Sequence, residues 1–305
     1  MLTSQVKHWA KLLLKPEYKS AHLRRQELNR IGNIPRYTST TTNILGTPIE
    51  ILDSISFWYS YREIFEQEIY AFQTNHGQPI IIDGGSNIGL SVIYFKQRYP
   101  NSRIMAFEAD PQVFKTLSKN INSFGYTDVQ LINKAIWNAE GKLEFSSEGA
   151  DAGRLSNHTE SSESTESSEI LESSKSSEQS ESFEQSEKAK FQTSSQAIQK
   201  VAVDTTRLTQ YLDQPIALLK LDIEGAETEV MLDCADSLDR VEQIFIEYHS
   251  FANQAQRLNE LLAVLKKAGF RVQIHTQYAS PRPFLEVPTQ MGMDMQLNIF
   301  GYRDK

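Results

Sequence analysis

The sequence predicts an α/β protein built on an open, mostly parallel sheet. Three observations carry that prediction. From residue 79 onward, short aliphatic and β-branched runs alternate with stretches of helical periodicity. Two junctions, IIIDGGSNIGLSVIYF at 80–95 and IALLKLDIEGAE at 216–227, pass from a buried strand through acids and glycines into a helix. The last two strand-like runs have no helix-length stretch between them, so they are expected to pair antiparallel.

The elements follow in order. Residues 3–30 read as one or two helices interrupted near Pro16. Residues 36–53 carry β-branched runs around Gly46-Thr47-Pro48, which predicts a small hairpin. Phe57, Tyr61, Ile64, Phe65, Ile69 and Phe72 recur at helical spacing, a stripe for the core. Strands are then expected at 79–83, 103–108 and 129–133, with helices at 88–98 and 111–124; Pro111 suits a first helical turn. An extra pair of strands falls within 135–147, then a strand near 200–203 and a short helix at 205–212. The pattern closes with strands at 216–222, 242–247, 270–275 and 295–302 and helices from 225 and at 254–268. This divides the chain into a helical and hairpin extension, 1–78, and a domain, 79–305.

Residues 156–188 break the pattern. Thirteen of the 33 are Ser, nine are Glu, and apolar residues are almost absent. Such a segment buries too little surface to offset its ordering entropy, so it is expected to be a disordered insert within the domain. Serines beside glutamates also make it a candidate for phosphorylation, although a solvated spacer accounts for it. It holds most of the net charge of −8; the rest of the chain has 29 basic and 30 acidic side chains. That near-neutral balance offers no argument for nucleic acid as a partner.

One cysteine, Cys234, excludes a disulfide within the chain and fits a reducing, cytoplasmic location. No apolar run approaches the ~20 residues of a membrane span. The stretch MLTSQVKHWAKLLLKPEYK lacks the apolar core of a signal peptide. Trp9, Leu12 and Leu13 with Lys7, Lys11 and Lys15 fit a small amphipathic helix over 5–15, packed on the domain or touching a membrane surface.

In such sheets ligands bind outside the carboxyl ends of the strands, so the residues just after each strand are the candidates. After the first come Asp83, Gly84, Gly85, Ser86, Asn87 and Gly89. Glycines let the backbone approach a ligand, and a helix N-terminus offers N–H groups. A pyrophosphate is repelled by the carboxylate of Asp83; a ligand with an ammonium group is attracted. The amino-acid end of S-adenosyl-L-methionine carries both an ammonium and a carboxylate, and suits this loop better than NAD. Asn87 can take a left-handed φ and add a polar contact. Glu108, after the second strand, can accept both hydroxyls of a ribose. After the fourth core strand, Lys220, Asp222, Glu224 and Glu227 crowd into eight residues, and Glu247-Tyr248-His249 follow the fifth. Asp222, Glu224 and His249 are expected on one rim, as a general base or a metal site. Without a second histidine, no metal is expected.

With these residues in view, the chain resembles the FkbM family of S-adenosylmethionine-dependent methyltransferases. IIDGGSNIGLS looks like that family's acid-glycine-asparagine-glycine loop, and MAFEADPQVFKTLSKN like its second-strand block, with Ala109-Asp110 where one proline is usual. LLKLDIEGAE matches its most characteristic block, and IFIEYH resembles the strand that follows. The likeness spans about 79–250, and implies a Rossmann-like class I methyltransferase fold with a seven-stranded, mostly parallel sheet whose last strand is antiparallel. It implies O-methylation of a hydroxyl on a small-molecule or glycan acceptor. Ala109 and, in the LINKAIWN block, Ala135 fall where relatives approach adenine, although Lys134 stands where an acid is common. Two other readings remain open: a nicotinamide oxidoreductase on a similar fold, and a non-catalytic scaffold. The helices before residue 79 and the proline-bearing stretch 275–294 are expected to cover the pocket, with Tyr248, Tyr278 and Phe284 as possible lining.

Overall fold

A computed structural model describes residues 16–147, 154–155 and 199–303. The segments 5–15 and 156–188, read above as an amphipathic helix and a disordered insert, lie outside the described residues. Helix α1 (Pro16–Gly32) leads to a hairpin of β1 (Thr40–Thr42) and β2 (Ile49–Ile51), then α2 (Ser54–Tyr61). Asp53 caps α2, accepting the N–H groups of Ile55 and Ser56. The predicted stripe is one helix only as far as Tyr61. A π-turn at Arg62–Glu66 interrupts it, and Ile69 and Phe72 lie beyond the helical turns.

The main sheet contains β3 (Ile80–Gly84), β4 (Arg103–Phe107), β5 (Val129–Ile132), β10 (Leu218–Leu221), β11 (Gln243–Phe251), β12 (Arg271–Ala279) and β13 (Met293–Tyr302). Its order is β12-β13-β11-β10-β3-β4-β5, parallel from β11 to β5. Strand β13 runs antiparallel between β11 and β12. The expected seven-stranded, mostly parallel Rossmann-like sheet is therefore present, and its order reverses between β3 and β10.

Helices α3 (Leu90–Arg98) and α4 (Pro111–Ser123) follow β3 and β4; α5 (Glu227–Asp233) and α6 (Leu258–Lys267) follow β10 and β11. Alternation along each strand feeds two cores. Ile81, Leu218 and Phe245 face α1 to α4, while Ile82, Leu219, Ile244 and Ile246 face α5 and α6. Ile31, Ile49, Ile51 and Phe57 of the extension share the first core with Phe95 and Leu117. The extension thus packs on the domain rather than around a core of its own.

A second sheet fills the route from β5 to β10: β6 (Ala135–Trp137), β7 (Gly141–Ser147), β8 (Arg154–Leu155) and β9 (Gln199–Arg207), in order β6-β9-β7-β8. The extra strands expected within 135–147 belong here. The helix expected at 205–212 shrinks to a 3-10 turn at Leu208–Tyr211, because β9 continues through Arg207, held between β6 and β7. Among the described residues, no helix is long and apolar enough to cross a membrane.

Candidate functional site

The site forms where the strand order reverses, at the carboxyl ends of β3 and β10. Gly85 has φ +77°, and a Cβ there would sit 1.8 Å from the Asp222 carbonyl oxygen, so only glycine lets the loop pass the end of β10. Asn87 takes the left-handed conformation expected of it, φ +46°.

The loop's N–H groups, expected to point at a ligand, are largely tied inward. Gly85 and Ser86 both donate to the Phe107 carbonyl, at 3.0 and 2.8 Å, and Gly89 donates to Ser86. Asn87 donates its backbone N–H to Glu108 Oε2 at 2.9 Å, and its own side-chain oxygen accepts from Ile88 N–H. The loop is thus a rigid shape clasped onto β4. Glu108 also accepts the Asp110 N–H at 2.8 Å, which leaves it at the rim between the first two loops. Burial pushes its carboxyl up to about 7. Ala109 packs against a small cluster formed by Ala135, Phe145 and Val203, so the two alanines expected near adenine are neighbours. Lys134 lies 3.9 Å from Glu140, an exposed pair.

Asp83 has a different partner from the ligand ammonium expected of it. Strands β3 and β10 pair with Asp83 opposite Lys220. The two side chains therefore share a face, and Lys220 Nζ lies 3.1 Å from Asp83 Oδ1 with Asp83 wholly buried. Ser91 donates to the other carboxylate oxygen at 2.5 Å. Lys220 also donates to the Gly84 and Gly85 carbonyls, at 3.2 and 2.7 Å. Although burial opposes its charge, Asp83 and Asp222 hold the Lys220 ammonium above the ordinary lysine value. Asp83 thus acts from behind the loop, through a built-in cation.

Asp222, Glu224 and His249 come together as expected. Nε2 of His249 lies 4.0 Å from Asp222 and 3.7 Å from Glu224. Its Nδ1 lies 2.9 Å from Glu227, whose carboxylate also accepts the Ile223 and Gly225 N–H groups. Glu224 sits at φ +55° and Gly225 at φ +97°, a sharp turn that folds these acids back over the strand end. Burial lowers the basicity of His249, but Glu224 and Glu227 outweigh it and hold the imidazole well above its usual range. Desolvation, reinforced by Asp222, raises the neighbouring Glu247 carboxyl well above its usual range. The geometry therefore favours an imidazolium at His249 and leaves Asp222, 26% exposed, as the carboxylate open to the cleft.

The cleft beside Asp222 is roofed by the N-terminal extension, as expected. Ser56, Phe57 and Ser60 of α2 face Asn87, Lys220 and Asp222, with Tyr70 behind them. Sequence reading assigned Phe57 and Ile64 to the core and did not single out the two serines; their signal was small polar residues interleaved with an apolar helical stripe. Asn120 of α4 ties the roof to the loop by donating to the carbonyls of Glu50 and Ile88. The stretch 275–294 contributes no lining residue to the cleft. Tyr248 is buried in the core, accepting the Arg257 N–H; Tyr278 donates to the Pro288 carbonyl; Phe284 is 101% exposed. None of these three aromatics lines the cleft, although β12 runs parallel to β11 and its end at Ala279 is level with Ser250 on the same rim.

The chain is similar to known methyltransferases. Methyltransferase 1 of Beauveria bassiana (strain ARSEF 2860) is 26% identical over 195 residues, 62% of this chain and 72% of that protein. Methyltransferase sdnD of Sordaria araneosa is 37% identical over 70 residues, covering 23% of this chain and only 27% of that protein. Among solved structures, the methyltransferase FkbM of Methylobacillus flagellatus KT aligns over 78% of this chain and 46% of its own, at 12% identity and TM-score 0.44. The family model described as the methyltransferase FkbM domain matches residues 83–272, which include the glycine loop, Glu108, the Asp222–Glu227 turn and His249. By that match over more than half its length, the chain belongs to the FkbM methyltransferase family.

Proposed function

We propose that the protein is an S-adenosylmethionine-dependent O-methyltransferase acting on a hydroxyl of a small-molecule or glycan acceptor. The observation that carries this reading is the placement of two carboxylates on either side of one glycine loop. Glu108 holds the Asn87 end, and Asp222 abuts Gly85. The residues present fit the cofactor. Glu108 has acceptor capacity for a ribose diol beyond its two backbone bonds.

The cofactor supplies an electrophilic methyl group on its sulfonium. The chain's task is to hold an acceptor oxygen in line with that methyl and to take up the hydroxyl proton. Asp222 is placed to accept the proton, being an open carboxylate at the cleft wall. Lys220, 3.5 Å from Asp222, and the His249 ring, 4.0 Å away, set its polar surroundings, and Glu227 fixes the His249 ring. Ser56 and Ser60 offer hydroxyls to a polyhydroxylated acceptor, and Phe57 and Tyr70 exclude water. Of the two candidate bases, His249 and Asp222, we take Asp222, with Glu224 positioning.

Incubation with methyl-labelled S-adenosylmethionine and a panel of hydroxylated acceptors tests this. Label transferred to oxygen supports the reading. Turnover of NADH instead, or label on no acceptor despite tight cofactor binding, would count against it.

A further inference from the structure

We propose that Asp222, Glu224 and His249 form a binding site for one divalent cation of the manganese class at the acceptor end of the cleft. The sequence alone did not favour a metal here; the folded arrangement does. The three side chains come from two adjacent parallel strand ends, and one ligand atom from each lies within 4.8 Å of the others. A cation about 2.1 Å from each ligand sets neighbouring ligand atoms about 3 Å apart. The two carboxylates are 26% and 28% exposed, so closing that difference shifts side chains at the cleft wall rather than in the core.

His249 supplies the independent observation. Its side chain is 1% exposed, and its Nδ1 is fixed on Glu227, which aims Nε2 at the two acids. There Nε2 meets no hydrogen-bond partner nearer than the Gln296 amide nitrogen at 3.5 Å, too long for an ordinary hydrogen bond. A buried ring nitrogen with its other nitrogen on a carboxylate is the arrangement that orients histidine for metal. Glu227 is itself oriented by the N–H groups of Ile223 and Gly225.

Charge points the same way. Asp222, Glu224 and Glu227 surround His249, and the nearby cation Lys220 lies closer to Asp83, at 3.1 Å, than to Asp222, at 3.5 Å. One imidazole and two carboxylates suit manganese or iron better than magnesium, which prefers oxygen alone. Asp222 also lines the cleft, so a cation held here would polarise an acceptor hydroxyl while the second Asp222 oxygen takes its proton. That role for the cation rests on the methyltransferase reading; the site itself does not.

The test uses the full chain and Mn2+ alone. Binding is followed by the electron paramagnetic resonance of free Mn2+, and directly bound nitrogen by pulsed resonance. One Mn2+ per chain with a nitrogen signal is expected. His249→Ala should abolish the nitrogen signal and most of the binding. Glu227→Gln should keep the signal and weaken affinity about 10–100-fold. Glu224→Gln, a near-isosteric change, serves if His249→Ala does not fold by circular dichroism, and should weaken binding at least as much as Glu227→Gln. S-adenosylmethionine binding is measured in parallel. A chain that binds the cofactor but no Mn2+ overturns the site and leaves the methyltransferase reading standing. Mn2+ affinity unchanged by His249→Ala also overturns it. Mn2+ bound with a nitrogen signal by a chain that binds no cofactor upholds the site and removes the role.

Discussion

Lys220 and Asp83 sit side by side on adjacent parallel strands, 3.1 Å apart and both buried, directly beneath the glycine loop. Removing one partner of such a pair strands the other charge in the interior. Lys220→Met should cost about 3–5 kcal/mol in urea unfolding. The Asp83→Asn/Lys220→Met double variant should lose less than the two single losses combined, with a coupling of at least about 1 kcal/mol. Additive losses would show that the pair does not act as a unit.

Gly85 and Gly125 have similar left-handed angles, φ +77° and +69°, but different surroundings. A Cβ on Gly85 meets the Asp222 backbone, whereas one on Gly125 meets nothing within 4 Å. Gly125→Ala should therefore cost only the left-handed penalty of about 1–2 kcal/mol and leave cofactor affinity unchanged. Gly85→Ala should cost more and also lower cofactor affinity, because β10 or the loop must move. Calorimetry on both variants checks the contrast.

Glu108 makes stability and cofactor affinity depend on pH in opposite senses. Burial raises its carboxyl to about 7, above the ~4.3 of an unfolded glutamate. The folded state thus binds the proton more tightly. Its contribution is fully present below about pH 4.3 and is lost as pH rises through about 7, a swing of at most about 4 kcal/mol. Urea unfolding between pH 4.5 and 8 should show the wild type falling relative to Glu108→Gln over this window. Ribose hydroxyls donate to the ionised carboxylate, so cofactor affinity should rise across the same window, and the slope should vanish in Glu108→Gln.

Asp222 and Glu108 should separate binding from turnover. Asp222→Asn keeps the shape of the cleft but removes the proton acceptor, so turnover should fall about 10²–10⁴-fold. Cofactor affinity should change far less than it does in Glu108→Gln. Steady-state rates with a methylated product as readout, set beside calorimetry, measure the split.

Much of this site was legible in the chain because strand ends mark ligand-facing positions. Asp83, Gly85, Asn87, Glu108, Asp222 and His249 all come at the ends of apolar strand runs, on β3, β4, β10 and β11 on either side of the order reversal. What stayed hidden depended on register. Lys220 reads as one lysine in LLKL until β10 is set opposite Asp83. Glu227 reads as a helix N-terminal acid until the turn at Glu224 and Gly225 folds it under His249. The second sheet was hidden for another reason: β6 and β9 pair across some sixty residues that include the Ser/Glu-rich segment, a pairing no local pattern encodes. The stretch 275–294 starts at the same rim, level with Ser250, yet lines none of the cleft; prolines mark a loop without saying what it packs against.

Titration of the full chain with S-adenosylmethionine, with Glu108→Gln and NADH as the two controls, tests the central claim most directly. The account predicts one cofactor bound per chain and no measurable NADH binding. It predicts affinity about 100-fold weaker in Glu108→Gln, from the loss of charge-assisted hydrogen bonds worth about 1.5–3 kcal/mol each. No S-adenosylmethionine binding, tighter binding of NADH, or an unchanged affinity in Glu108→Gln would contradict it.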